Sequence, residues 1–372
     1  MGKTLDEIAK QLKECDKKIQ LIYAFNGTGK TRLSRAFKEL VAPKSESGNE
    51  ETDLSGKRIL YYNAFTEDLF YWDNDLENGI NPKLKIHSNA FTNWVFLEQG
   101  QEKNTISNFQ TYINNPTLTP KFNEDFSEVT FSLQRGNDQD IENIKISKGE
   151  ESNFVWSVFY SLLEQVVEVL NIPEESDRET DKLNDLKYIF IDDPVTSLDE
   201  NHLIQMAVNL SKVIRKSESD LKFIITTHSP LFYNVLYNEL QINRKKAGYL
   251  LEKNEDGSYD LNTRSGDSNK NFSYHHYLIG IIKQAIEENK IEKYHFTLLR
   301  NLYEKAANFL GYDKWSDLLP SDNTEAYAQR IMNFYSHRTL VNEEIKEPTE
   351  AEKQMVKLLF DHLIDNAKFR KG

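Results

Sequence analysis

A single cysteine, Cys15, stands among 372 residues. No intramolecular disulfide can form and no cysteine-based metal site is available, which fits a reducing compartment. No run of 18 apolar residues occurs, so no segment reads as a transmembrane helix. The chain opens MGKTLDEIAKQLKE, charged and amphipathic rather than the apolar core of a signal peptide. The expected setting is the cytoplasm, with no membrane partner. Basic excess is lacking too: 46 Lys+Arg stand against 59 Asp+Glu, a net charge of −13. That balance argues against broad, nonspecific grip on nucleic acid. No internal repeat appears.

What remains is a globular composition, 38% hydrophobic and 28% charged, long enough for two or three packed domains. The charge is uneven. From Thr263 onward acidic and basic residues balance, and that tail holds five of the eight histidines. The whole deficit of 13 therefore lies in residues 1–262. The two stretches read as an acidic domain, 1–262, and a neutral, histidine-rich domain, 263–372.

KIQLIYA (18–24) is an apolar run that enters a glycine turn, followed by KTRLSRAFKELV with helical period. Strand, glycine turn and helix open an α/β nucleotide unit. KSESGNEETDLSGK (44–57) reads as a polar surface loop, and RILYYNAF (58–65) as a strand. Helices and loops are expected over 66–127. EVTFSL (128–133) and ENIKI (142–146) look like strands, and NFVWSVFYSLLEQVVEVL (153–170) like a buried helix. LKYIFID (186–192) and LKFIITT (221–227) are β-branched apolar runs, the mark of buried parallel strands, joined by a helix over 200–215. Residues 247–262 read as a hairpin through Asp256-Gly257. Beyond it the pattern is almost wholly helical.

AFNGTGKT (24–31) is one residue short of a P-loop, with Ala24 where the first glycine stands. Asn26, Gly27, Thr28 and Gly29 would turn backbone N–H groups around phosphate. Lys30 would reach the β/γ oxygens and Thr31 would ligate Mg²⁺. The helix that follows aims its N-terminus at the anion. IFIDDP (189–194) ends a buried strand in two carboxylates. Asp192 would hold the Mg²⁺ shell and Asp193 would polarise an attacking water. Each motif also has a plainer reading. The first is equally a strand–helix turn, and Asp-Pro is a common turn dipeptide. Ser147 with Glu150 in ISKGEES (146–152) is equally a capping box.

Taken in order, the P-loop, ISKGE, IDDP, SLD (197–199) and TTHSP (226–230) resemble the ATPase heads of the ABC/SMC class over roughly 18–262. The resemblance implies an α/β fold with a mostly parallel sheet. It also implies GTP or ATP with Mg²⁺ as the bound cofactor. ISKGE then acts as the signature motif, with Ser147 and Gly149 at the nucleotide of a second head. Asp199 belongs to the D-loop, and His228 is the switch histidine at the γ-phosphate. Head-to-head assembly follows, as a dimer or tetramer. The sequence departs from the pattern at Ala24 and at Asp193, where such heads carry Glu; the shorter side chain implies slow hydrolysis. About a hundred residues between P-loop and signature are too few for long coiled-coil arms at 1.5 Å per residue plus a core.

In the tail, LLRNLYEKAANFL places Leu298, Leu302, Ala306, Phe309 and Leu310 on one helical face. Arg300 and Glu304 are then neighbours on the other face. As a surface pair this is worth only about 0.3–0.5 kcal/mol. With His337 in NFYSHRTL (333–340), however, the three residue types suffice for metal-independent RNA scission. RNA brings its own 2′-OH nucleophile. A carboxylate or imidazole takes its proton, an imidazolium protonates the leaving oxygen, and a guanidinium steadies the phosphorus charge. A lone histidine is also commonly structural or solvent-facing, and its tunable pKa is what recommends it.

IYAFNGTGKTRLSR, ILYYNAFTEDLFYWDND, SKGEESNF, FIDDP, IITTHSPLFYNVL, GDSNKNFSYHHY and LLRNLYEK together resemble the bacterial anticodon nucleases almost end to end. The resemblance places the catalytic set on Arg300, Glu304 and His337, in a helical, HEPN-like domain with no metal in the nuclease site. It implies cleavage of a tRNA anticodon loop, typically lysine tRNA 5′ of the wobble base. The ends left are a 2′,3′-cyclic phosphate and a 5′-OH. It implies a phage-defence toxin silenced by a type I DNA restriction–modification partner and released by a phage-encoded activator. GTP or ATP hydrolysis activates it, and dTTP enters as a regulatory nucleotide. GDSNKNFSYHHYL (266–278) becomes the anticodon-reading segment. Phe272, Tyr274 and Tyr277 would stack bases, Lys270 would meet a phosphate, and Asp267 would accept from a cationic wobble base. Without the resemblance the same segment reads as a turn and helix start. A different class stays open as well: a non-nucleolytic ATPase sensing DNA or protein through a helical interaction module.

Overall fold

The computed structural model describes residues 2–43, 56–63, 69–73, 81–87, 89–134, 141–194, 200–242, 247–254, 256–264, 274–320 and 348–366. The chain divides into two compact units, Met1–Asn271 and Phe272–Gly372. In the first, α1 (Leu5–Glu14) precedes β1 (Ile19–Tyr23), and α2 (Lys30–Val41) follows the glycine turn. Then come β2 (Ile59–Tyr62), β3 (Phe70–Asp73), β4 (Lys83–Ile86), α3 (Glu102–Tyr112), β5 (Leu118–Phe122), β6 (Glu128–Leu133) and α4 (Lys148–Leu170). β7 (Tyr188–Asp192), α5 (Glu200–Lys216), β8 (Lys222–Thr227), α6 (Pro230–Glu239), β9 (Gly248–Lys253) and β10 (Tyr259–Arg264) complete it.

The main sheet runs β10-β9-β1-β8-β7-β2, and every pairing is parallel except β10 on β9. β1 and β8 are mostly apolar and buried on both faces, as central strands covered on two sides. On one face α1 and α2 pack Leu5, Ile8, Leu12, Leu33 and Phe37 against Ile22, Phe190 and Ile224. Phe37 sits 5.2 Å from the Tyr188 ring and 5.5 Å from that of Phe190. Register then fixes the site. Tyr23 lies opposite Thr227, and Thr226 opposite Asp192. The carboxyl ends of β1, β8 and β7, and the loops that leave them, are therefore side by side.

Two sequence expectations fail in this unit. Residues 66–127 contain strands as well as helix: β3, β4 and β5 join β6 in a separate antiparallel sheet ordered β3-β4-β6-β5. Its strands are short, and KLKI alternates strictly. Leu84 and Ile86 face inward, while Lys83 and Lys85 pair with Glu128 across the strand. Pro120 is tolerated because β5 is an edge. Residues 142–146, by contrast, form no strand. Only Ile141 bridges Leu133, and Asn143 at φ 56° breaks the extended path.

The second unit contains α7 (Tyr274–Glu287), α8 (Lys293–Leu310), a 3₁₀ turn (Trp315–Leu318) and α9 (Glu350–Asn366). Leu278, Ile282, Phe296, Leu299, Leu302, Tyr303, Val356, Leu359 and Leu363 share its core. The apolar face of α8 keeps Leu298, Leu302 and Ala306 on the core side but is rotated from the expected one. Phe309 is 91% exposed and Leu310 is exposed, while Phe296, Leu299 and Tyr303 are buried. Tyr303 turns the face, because its hydroxyl donates to the Leu359 carbonyl at 2.9 Å and so can be buried.

His295 is buried in the first turn of α8 and accepts from the Glu292 N–H at 2.9 Å. Burial holds its pKa below the usual 6.5. The unfolded chain takes a proton below about pH 6.5 that the folded ring refuses, so stability falls as pH drops under that value. The limit for one group is about 1.4 kcal/mol per pH unit. Hydrogen exchange of the α8 amides should show a drop in opening free energy between pH 7.5 and 5.5. The drop should be smaller in His295→Gln; equal drops would contradict the assignment.

Candidate functional site

The glycine turn between β1 and α2 is shaped by two left-handed positions, Gly27 at φ 79° and Gly29 at φ 110°. A side chain at either would be strained, which is the physical demand for glycine here. Ala24 makes no such demand. It is not among the positive-φ residues, is fully buried, and its N–H donates to the Thr227 carbonyl at 3.0 Å. The departure from the P-loop pattern at Ala24 is therefore backbone-neutral. Asn26 and Thr28 lie within the turn, which is closed by Thr28 N–H to the Phe25 carbonyl at 3.2 Å.

Lys30 is only 7% exposed. Its ammonium donates to the carbonyls of Ala24 and Phe25 at 3.2 and 3.3 Å and to Asn26 Oδ1 at 3.3 Å. It also lies 3.2 Å from Asp193 Oδ2. Asp193 in turn accepts from the His228 backbone N–H at 3.1 Å and meets His228 Nδ1 at 2.8 Å. Three sequence-selected residues (Lys30, Asp193 and His228) thus form one bonded cluster. Burial pushes the Asp193 carboxyl up, but the His228 hydrogen bond and the Lys30 charge outweigh it, and its pKa lies below the usual range. Asp193 stands at φ 51°. Asp is among the few non-glycine types enriched in that region, which gives a backbone reason for Asp rather than Glu.

Asp192 is buried, with Oδ1 accepting from Thr226 Oγ1 at 2.6 Å and Oδ2 from Ser34 Oγ at 3.1 Å; the Thr31 hydroxyl also acts to lower its pKa. Burial is the largest influence on this carboxyl and raises its pKa. A polar line backs it: Asn63 Nδ2 donates to Tyr61 Oη at 3.0 Å, and Tyr61 Oη is 2.6 Å from Ser34 Oγ. Sequence reasoning missed Ser34, Tyr61, Asn63 and Thr226. Their only signal was position, one helical turn after Thr31 or at the end of a strand. One carboxylate beside one hydroxyl, next to a phosphate-type turn, is a donor set that fits Mg²⁺, which keeps few protein ligands and completes its shell with phosphate and water.

Ser147 caps α4: its hydroxyl accepts from Glu150 N–H at 3.3 Å, and its own N–H donates to Glu150 Oε2 at 2.7 Å. The capping-box reading of ISKGE is therefore correct, whatever else the segment does. Gly149 lies in that first turn, which is braced by the Trp72 indole and Lys148, both bonded to Glu151. Asp199 lies outside the described residues.

In the helical unit Arg300 Nε donates to Glu304 Oε1 at 2.8 Å. Arg300 is 16% exposed and Glu304 43%, so the pair straddles the rim of the core rather than standing clear of it. The Arg300 guanidinium carbon is 5.4 Å from the centre of the Trp315 ring. Tyr274 begins α7. His337, Asp267, Lys270 and Phe272 lie outside the described residues. Among the described residues, no helix is long and apolar enough to cross a membrane.

A left-handed glycine turn between a parallel strand and a helix, with a buried carboxylate at the end of the next strand but one, defines a P-loop-type α/β unit; a separate helical unit follows it. The chain is 58% identical over 393 residues to an Escherichia coli protein named anticodon nuclease, covering 99% of this chain and 98% of that one. It belongs to the anticodon nuclease family. No family model matches it. Solved structures similar to it include an SMC head bound to the C-terminal winged-helix domain of ScpA, with 9% identity and TM-score 0.35, covering 69% of this chain and 92% of that one. Another is the SMC head domain from Thermotoga maritima, with 11% identity and TM-score 0.32, covering 67% and 91%.

Proposed function

We propose that this protein is a nucleotide-gated endoribonuclease that cuts a tRNA anticodon loop. The observation that carries the reading is the bonded Arg300–Glu304 pair at the rim of the helical core, in a chain 58% identical to an anticodon nuclease. Glu304 takes the proton from the ribose 2′-OH. The 2′-oxygen attacks phosphorus, and the bond from phosphorus to the 5′-oxygen breaks. His337, as imidazolium, protonates that leaving oxygen, and Arg300 steadies the charge on the phosphoryl oxygens. The products are a 2′,3′-cyclic phosphate and a 5′-OH. The substrate is lysine tRNA, cut 5′ of the wobble base, read by Asp267, Lys270, Phe272 and Tyr274.

The P-loop unit is the gate. Asn26 through Thr31 hold the phosphates of GTP or ATP, and Thr31 and Asp192 hold Mg²⁺, which supplies charge neutralisation at the transferring phosphate. A bound phosphate competes with Asp193 for Lys30, and so changes what Asp193 and His228 bind. Ser147, Gly149 and Asp199 act on the nucleotide of a second copy, which makes the active form a dimer or tetramer. dTTP serves as a regulatory nucleotide. In the cell the protein is a phage-defence toxin held silent by a type I restriction–modification complex.

Incubating the purified chain with total tRNA, Mg²⁺ and GTP or ATP, then mapping the ends, tests the reading; it expects one cut in one anticodon loop with a cyclic phosphate. Random nicking or no cleavage refutes it. The residue chemistry also separates the two activities. EDTA added after activation should stop nucleotide hydrolysis and leave RNA scission within about twofold, because neither the 2′-OH attack nor the leaving-group protonation calls on a metal. Parallel loss of both activities would count against this chemistry.

A further inference from the structure

We infer that Trp315 is a positioning residue for RNA scission, holding the Arg300 guanidinium by its ring face; this rests on the proposal that Arg300 acts on the scissile phosphate. An arginine side chain is long and loses considerable rotamer freedom when fixed. Arg300 is restrained from two directions. Glu304 takes its Nε edge at 2.8 Å, and the Trp315 ring lies 5.4 Å from its guanidinium carbon. One contact sets the edge and the other sets the plane. The Glu304 carboxylate is 43% exposed, and water screening weakens its hold on the guanidinium. An aromatic face adds an attraction that grows with desolvation.

The ring is itself held. α8 ends at Gly311, φ 80°, where Tyr312 N–H returns to the Ala307 carbonyl at 2.9 Å and reverses the chain. The 3₁₀ turn over 315–318 is closed by Asp317 N–H to the Lys314 carbonyl at 3.1 Å and Leu319 N–H to the Ser316 carbonyl at 3.0 Å. Trp315 packs against the core and meets the Tyr303 ring edge-on at 6.3 Å. Tyr303 is fully buried and anchored to the Leu359 carbonyl. The order of support runs from the core to Tyr303, to Trp315, to Arg300. Small errors in the placement of a charge-stabilising group are costly, on the order of a hundredfold per ångström.

The test is single-turnover cleavage of a lysine tRNA anticodon stem–loop by the full chain, pre-activated with nucleotide. Trp315→Leu should lower the cleavage rate about 10- to 100-fold with RNA affinity within about twofold, and Trp315→Phe should restore most of it. Fluorinated tryptophans placed at position 315 keep the shape and drain the ring face of negative charge. The rate should fall step by step with fluorine number, and this series decides the matter even where Trp315→Leu fails to fold. In an Arg300→Lys background the fluorine dependence should weaken, because the planar cation is gone. A flat fluorine series, or Trp315→Leu cutting at the unsubstituted rate, overturns the proposal. If Arg300→Ala abolishes scission while the fluorine series stays flat, only the positioning role fails. If Arg300→Ala cuts normally, the assignment of the nuclease site fails instead.

Discussion

Glu304→Gln should lower RNA scission by about 10²- to 10⁴-fold, the range for losing a positioned proton-transfer group, while the helical unit stays folded. The separation is expected from geometry. Glutamine keeps the length of the side chain, and its Oε1 still accepts from Arg300 Nε, now 2.8 Å from the carboxylate. The lost charge leaves Arg300, only 16% exposed, less well paired, at a cost on the order of 1 kcal/mol. What disappears is basicity: an amide cannot take the 2′-OH proton. His337→Ala should match the loss, because the leaving 5′-oxygen then departs unprotonated. Rates and unfolding midpoints measured on the same preparations check both. Normal scission and toxicity in both variants would remove the helical unit from the chemistry and return it to the reading as an interaction module.

Legibility in the sequence followed the range of the interaction that set each feature. β1, β7 and β8 were readable because a strand buried on both faces needs a mostly apolar run, and the run itself is local. The capping box at Ser147 and the hairpin through Asp256-Gly257 were readable for the same reason. Of the small antiparallel sheet only β6 was. Its strands are four to six residues long, and its KLKI alternation acquires meaning only when Glu128 from another strand arrives to pair the lysines. The apolar face of α8 was misjudged because Tyr303 was not counted as core, and what makes it core is a carbonyl on α9, far along the chain. At the glycine turn between β1 and α2 the residue types were legible but their bonds were not. That Asp193 would close on both Lys30 and His228 depends on the register of β1, β8 and β7, which no single segment encodes.

Those bonds determine what Lys30→Ala should do. On the proposed reading the variant loses the Lys30 ammonium that meets a β/γ-phosphate. A hydrogen bond to a charged group is worth about 1.5–3 kcal/mol, so nucleotide affinity should fall by about 10- to 150-fold. Nucleotide-driven activation of scission should be lost with it. The fold should survive, at some cost. The three bonds from Lys30 to Ala24, Phe25 and Asn26 vanish, and Asp193 keeps His228 but loses the nearby cation that helps hold its pKa low. The stability linked to Asp193 is fully present above its unfolded value near 3.8 and disappears only as pH falls through the depressed folded value. At neutral pH the charge is therefore still there in the variant, less well paired, and the expected loss is about 1–2 kcal/mol. Adding Asp193→Asn should recover part of that stability, because it removes the carboxylate left underpaired, and should recover none of the nucleotide binding. A Lys30→Ala protein that binds nucleotide and is activated like the parent would show that the turn between β1 and α2 is not the phosphate site, and the gate would have to be sought elsewhere in the chain.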